Sequence, residues 1–338
     1  MSDEQLLDVK NLRTSFLTSG GVVSAVRGIS FSVGHGEFIG IVGESGCGKS
    51  VTMLSIMRLL AGNASVKADS LFFDGRDLLK LSSKEIRKIH GSDIGMIFQD
   101  PMTSLDPLYT IGDQIMEPLK IHKKMTRREA RRKAAEMLDM VGISSPGQRL
   151  DQYPHEFSGG MRQRAMIAIA MCCDPKLLIA DEPTTALDVT IQAQILELMM
   201  EMKKKFSTAT ALITHDLGVI ASSCSRVVVM YGGLIMEIGL SEDIFYRPLH
   251  PYTNGLLNSI TRAGGKERGK LIPIPGSPPD LMNPPVGCPF TARCEYAMRI
   301  CAEARPSSTY VSENHSAACW LLHAKASGMR SGIARHGR

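Results

Sequence analysis

The stretch Gly43-Glu44-Ser45-Gly46-Cys47-Gly48-Lys49-Ser50 reads G-x-x-x-x-G-K-S, the phosphate-binding loop. No other feature restricts the fold as much, because the motif works only between a buried strand and a helix. Both neighbours are present. Phe38-Ile39-Gly40-Ile41-Val42 is a short apolar run suited to a buried strand, and residues 51–57 open a helix. Glycines let the backbone close on a polyphosphate, so that successive N–H groups and the helix N-terminus face it. Lys49 supplies a point charge for the terminal phosphates, Ser50 an oxygen for Mg²⁺, and Cys47 a thiol open to reagents that would block the loop.

The rest of the chain supports an α/β fold. Residues 6–16 and 22–33 alternate apolar and polar around Gly20-Gly21, as in a hairpin, and Phe16 is placed either to stack a base ring or to fill core. Further strands are expected over residues 71–73, 94–98, 176–182, 211–214, 227–230 and 234–237. Residues 111–142 read as helical and 146–147 as a loop, with one helix over 162–172 and another over 191–205. Lys123, Lys124, Arg127, Arg128, Arg131, Arg132 and Lys133 read as a solvated helix face rather than a nucleic-acid surface.

Polar residues fall where such folds place ligand contacts, at strand ends. Gln99 follows the 94–98 strand and can reach Mg²⁺ or an attacking water. Ser158-Gly159-Gly160 opens a helix and offers backbone donors to a second anion. Asp181 and Glu182 end an apolar strand. Read as neighbours pointing to opposite faces, they divide into an Mg²⁺ partner (Asp181) and a base for water (Glu182). His215 ends the next strand, placed to contact a terminal phosphate.

Composition excludes little. The chain has 338 residues, is 43% hydrophobic and carries a net charge of +5, too little for a strong nucleic-acid case. No apolar run approaches the roughly 18 residues of a membrane span. The acidic start, Met1-Ser2-Asp3-Glu4-Gln5, is unlike a signal peptide, so a cytoplasmic protein without structural disulfides is expected despite eight cysteines. Four of these, Cys288, Cys294, Cys301 and Cys319, stand at C-x5-C-x6-C-x17-C. That spacing is looser than zinc knuckles use, and four thiolates suit a [4Fe–4S] cluster; zinc and free thiols are the other readings. His315 reads as a surface residue or a substitute ligand, while Cys172 and Cys173 read as core.

Taken in order, the phosphate loop, Gln99, Ser158-Gly159-Gly160, Asp181-Glu182, Ala186-Leu187-Asp188 and His215 resemble the ATP-binding subunits of ABC transporters over residues 5–245. The signature reads Phe-Ser-Gly-Gly-Met, with Phe157 and Met161 departing from the usual ends. His250-Pro251-Tyr252-Thr253, the Pro-rich stretch 272–281 and the cysteines are similar to the oligopeptide/dipeptide importers, a group that includes nickel importers. The resemblance implies a RecA-like P-loop nucleotide-binding domain over 1–250, with a β subdomain and a helical subdomain (about 100–172). A small cysteine-containing extension over 251–322 and a disordered tail over 323–338 would follow. It implies ATP and Mg²⁺ contacts through Gly43, Glu44, Ser45, Gly46, Cys47, Gly48, Lys49, Ser50, Val51, Phe16, Ser158, Gly159, Gly160, Gln99 and Asp181, with Glu182, Gln99 and His215 catalytic. It also favours the iron–sulfur cluster. Expected partners are two transmembrane permease subunits, a paralogous second ATPase and an extracytoplasmic solute-binding protein, at the cytoplasmic face of the inner membrane. Nickel or another solute as cargo, and a soluble ABC ATPase acting on DNA or the ribosome, are the alternatives.

Overall fold

The computed structural model describes residues 5–185, 188–259 and 273–326. Ala186 and Leu187, Ile272 of the Pro-rich stretch and tail residues 327–338 lie outside the described residues. The chain divides into two compact units interleaved in sequence. One comprises Met1–Leu7, Ser32–Phe38 and Phe72–Ile213; the other comprises Asp8–Phe31, Ile39–Leu71 and Thr214–Arg338.

The first unit is built on three parallel strands, Ile94–Ile97, Leu177–Asp181 and Ala209–Ile213, in the registers Ile94↔Leu177 and Leu177↔Ala209. The last two are buried along their whole length, which is why they read as unbroken apolar runs. Helices Ile111–His122, Arg127–Met140 and Gly159–Met171 pack on one another. The first two fall within the helical stretch 111–142 and divide it. Lys124 turns to φ 52°, and Thr126 and Glu129 form a reciprocal capping box that restarts the helix. A correction falls at Pro146-Gly147, where a short helix, Pro146–Arg149, replaces the expected loop. The seven basic residues of 123–133 are exposed or half-exposed, and Arg131 pairs with Asp151 at 2.7 Å. Asp188 caps the long helix Val189–Phe206 by accepting from the Ile191 N–H.

In the second unit, Gln5–Thr18 lies beside Gly21–Gly34, as a hairpin around Gly20-Gly21 requires, and pairs antiparallel with Ala64–Lys67. The strand Phe38–Val42 runs parallel to Arg226–Tyr231, which turns back through Gly232 and Gly233 into Leu234–Leu240. Strand His315–Ala317 then pairs with Leu234–Leu240, and Thr309–Ser312 pairs with His315–Ala317. The C-terminal segment is thus hydrogen-bonded into the sheet that leads to the phosphate loop. His315 is buried, with Nε2 2.7 Å from Oε1 of the buried Glu237, which corrects its placement at the surface. The first tail residues, 323–326, form a short turn ending at the buried Ala326. Among the described residues no helix is long and apolar enough to cross a membrane.

Candidate nucleotide site and four-cysteine cavity

The phosphate loop adopts a conformation that only its glycines permit. Gly43 has φ 151°, and a Cβ there would meet the Met230 carbonyl oxygen at 2.1 Å; at Gly48 (φ 101°) it would meet that of Ala25 at 2.6 Å. Helix Lys49–Ile56 begins at Gly48, which has no side chain to cap it, so its N-terminus faces the loop as an anion-binding helix end does. The helix opens at Lys49, two residues earlier than expected, which puts Ser50 and Val51 in its first turn. Lys49 is only 6% exposed, and Nζ donates to the carbonyls of Gly43 (2.8 Å) and Glu44 (3.1 Å), holding the ammonium over the loop. An uncapped helix end, a glycine cradle and a preset ammonium fit a triphosphate. Cys47 is buried and burial raises its thiol pKa, so it is not the accessible thiol its position suggested.

Phe16 is half-exposed on its strand, opposite Ala64. His215 is exposed. The preceding Thr214 N–H donates to the Ile41 carbonyl at 3.3 Å, which fastens this turn to the strand feeding the loop.

In the first unit the structure brings Gln99 and Glu182 together: Gln99 Nε2 donates to Glu182 Oε2 at 3.0 Å. Thr185 Oγ1 donates to the same oxygen at 2.9 Å, a contact the sequence did not suggest. Asp181 is the last strand residue and 5% exposed. Glu182 lies one residue beyond, at φ 46°, and its N–H donates to the Ile213 carbonyl. Strand alternation therefore does not separate the two acids; a left-handed residue does. Such a backbone costs about 1 kcal/mol or more in a non-glycine residue and persists where its surroundings enforce it. Ser158, Gly159 and Gly160 stand at the N-terminus of Gly159–Met171, largely exposed, with the Met161 N–H donating to Ser158 Oγ at 3.3 Å. The Ser158 hydroxyl caps its own helix here, and Gly159 and Gly160 carry its leading N–H groups.

Cys288, Cys294, Cys301 and Cys319 line one cavity of about 10 Å³, together with His250 and Trp320. Burial raises the Cys288 thiol, and pushes Cys294 up to about 11 and Cys319 up to about 12. Among the described residues no three His, Cys, Asp or Glu side chains are arranged around a point that could hold a metal ion. His250 is 1% exposed, and burial pulls its imidazole down to about 3. Its Nδ1 accepts from the Tyr252 N–H at 3.0 Å, which assigns the ring proton to Nε2. That Nε2 is buried without a hydrogen-bond partner.

The comparisons agree with this geometry. The ABC transporter family matches residues 26–185, and the oligopeptide/dipeptide transporter C-terminal region matches residues 236–301. The chain is 56% identical, over 96% of itself and 96% of the relative, to the dipeptide transport ATP-binding protein DppD of Bacillus subtilis. It is 52% identical, over 90% and 89%, to the oligopeptide transport ATP-binding protein OppD of Escherichia coli. Among solved structures it is similar to the dimeric ATP-binding cassette MJ0796 bound to ADP and Pi, with a TM-score of 0.63 and 26% identity over 70% of this chain and 98% of that one. The chain therefore belongs to the ABC transporter ATP-binding subunits, in the branch that carries the oligopeptide/dipeptide transporter C-terminal region.

Proposed function

We propose that this chain hydrolyses ATP to power the import of dipeptides and short oligopeptides. The observation that carries the reading is 56% identity along 96% of the chain to a dipeptide transport ATP-binding protein. In this reading the chain binds two transmembrane permease subunits and works beside a second, paralogous ATPase at the cytoplasmic face of the inner membrane. An extracytoplasmic solute-binding protein delivers the cargo. Residues 1–250 do the nucleotide work, with a helical subdomain at about 100–172, and residues 251–322 form the extension.

The roles divide by chemistry. Backbone N–H groups of residues 43–51 and the Lys49 ammonium hold the β- and γ-phosphates. Ser50, Asp181 and Gln99 are the residues that would hold Mg²⁺, which would supply positive charge to the phosphates. Glu182, aimed by Gln99 and Thr185, orients a water and takes its proton. His215 donates to the γ-phosphate, and Phe16 stacks the adenine. Ser158, Gly159 and Gly160 supply a helix N-terminus to the nucleotide of the opposing ATPase, which binds through the helix end and backbone rather than the side chain of Met161.

Uptake by cells carrying Lys49→Ala tests the reading, with a labelled dipeptide, a labelled longer peptide and nickel offered in parallel. Loss of peptide uptake alone is expected. Loss of nickel alone would transfer the mechanism to another cargo, and no loss of any solute would overturn the importer reading.

We also propose that Cys288, Cys294, Cys301 and Cys319 hold a [4Fe–4S] cluster. Four thiolates around one zinc at about 2.3 Å would converge on a point, whereas cluster thiolates each take a different iron. The observation behind this reading is that all four thiols line one cavity. The orphaned His250 Nε2–H on the same cavity is a donor suited to an acceptor sulfur. Bound there, the cluster would cross-link a segment with few core residues of its own. Anaerobic purification should give about four irons and four sulfides per chain, falling sharply in Cys294→Ser. Zinc instead of iron, or a folded chain with neither, would overturn it.

A further inference from the structure

We propose that Arg293 and Tyr252 are positioning residues for the phosphate loop, and that the C-terminal segment thereby sets how tightly the loop holds a nucleotide. This inference deepens the ATPase reading and rests on it. It starts from an electrostatic conflict in the sequence. Glu44 is the second residue of a loop built to bind a polyanion, and a bare carboxylate there repels its ligand.

The structure resolves the conflict from the far end of the chain. Arg293 Nη1 lies 2.7 Å from Glu44 Oε2, in a side chain only 6% exposed. The same nitrogen donates to the Tyr231 hydroxyl at 3.0 Å, Nε donates to the Pro275 carbonyl at 2.8 Å, and Nη2 to the Ile274 carbonyl at 3.1 Å. The guanidinium also lies over the rings of Tyr231 and Phe290, at 5.6 and 6.0 Å from their centroids. It is therefore fixed before any ligand arrives. Tyr252, fully buried against Tyr231 and Phe290, holds the same loop residue by its backbone: the Glu44 N–H donates to the Tyr252 hydroxyl at 2.9 Å. Residue 44 is thus clamped by side chain and main chain together. Arg293 immediately precedes Cys294, so the clamp is anchored on the cysteine-bearing segment.

Removing Arg293 leaves the Glu44 charge uncompensated beside the phosphates and frees the loop. The full chain is titrated with a fluorescent ATP analogue and Mg²⁺, with thermal unfolding followed alongside. Arg293→Ala is expected to weaken binding about tenfold or more at low salt, with a smaller defect at high salt. Glu44→Gln in the Arg293→Ala background is expected to recover most of the loss, because no charge then remains to be neutralised. Tyr252→Phe is expected to weaken binding by a smaller factor. If the alanine variant does not fold, Arg293→Gln keeps the stem and an amide donor and takes its place. Unchanged affinity in a folded Arg293 variant would overturn the inference, as would a loss that Glu44→Gln fails to rescue. Absence of nucleotide binding in the unmodified chain would instead overturn the ATPase reading.

Discussion

Glu182→Gln is expected to bind MgATP within about threefold of the unmodified chain while hydrolysing it about a thousandfold more slowly, as befits loss of a positioned base. That factor corresponds to about 4 kcal/mol in the barrier. The exchange suits the site. The glutamine oxygen can still accept from Gln99 Nε2 and Thr185 Oγ1, now at 3.0 and 2.9 Å from Glu182 Oε2, so the loop keeps its internal bonds. The φ of 46° at residue 182 is tied to the N–H bond to Ile213, which the exchange does not touch. What disappears is the group able to take a proton from water. Nucleotide titration and phosphate release on the same preparation separate the two effects. Equal turnover would remove Glu182 from the role of base, and a parallel loss of binding would show that it shapes the site instead.

Glu237→Leu is expected to cost about 3–5 kcal/mol of stability, the range for breaking a buried polar network by removing one partner. Glu237 is 0% exposed, and its carboxyl oxygens take three bonds: the His315 ring at 2.7 Å, the Leu249 N–H at 2.8 Å and the His250 N–H at 2.9 Å. Leucine fills the volume and strands all three groups away from water. Since whole domains are stable by only about 5–15 kcal/mol, the midpoint of thermal unfolding should fall by roughly 10 °C. Glu237→Gln, which keeps one acceptor oxygen, should fall less. Circular dichroism melts of the full chain check the order. A leucine variant as stable as the unmodified chain would mean that the network contributes nothing net.

The two sites differ in how far the sequence disclosed them. The phosphate loop was legible because its chemistry is local: glycines, lysine and serine stand within eight consecutive positions, and the flanking strand and helix carry their own periodicity. The same holds for the hairpin at Gly232-Gly233, whose positive φ values follow from glycine. The break at Lys123–Thr126 is also written locally, as Thr-x-x-Glu at Thr126 and Glu129.

Other features had no local signal. Glu182 has the sequence of a strand end, and its turn to φ 46° goes with the bond from its N–H to Ile213 in the neighbouring strand. His315 among cysteines reads as a surface residue or ligand until Glu237, 78 positions earlier, is brought against it. Arg293 is one more surface cation until it meets Glu44, 249 positions away. By itself, then, the sequence determined the strand–loop–helix, the capped helices and the types of residue the chemistry needs, because backbone geometry and hydrogen bonding over a few residues dictate them. Tertiary structure alone decided which carboxyl groups are buried, which cations neutralise them and which backbone is strained, because burial and charge pairing depend on groups that only folding brings together.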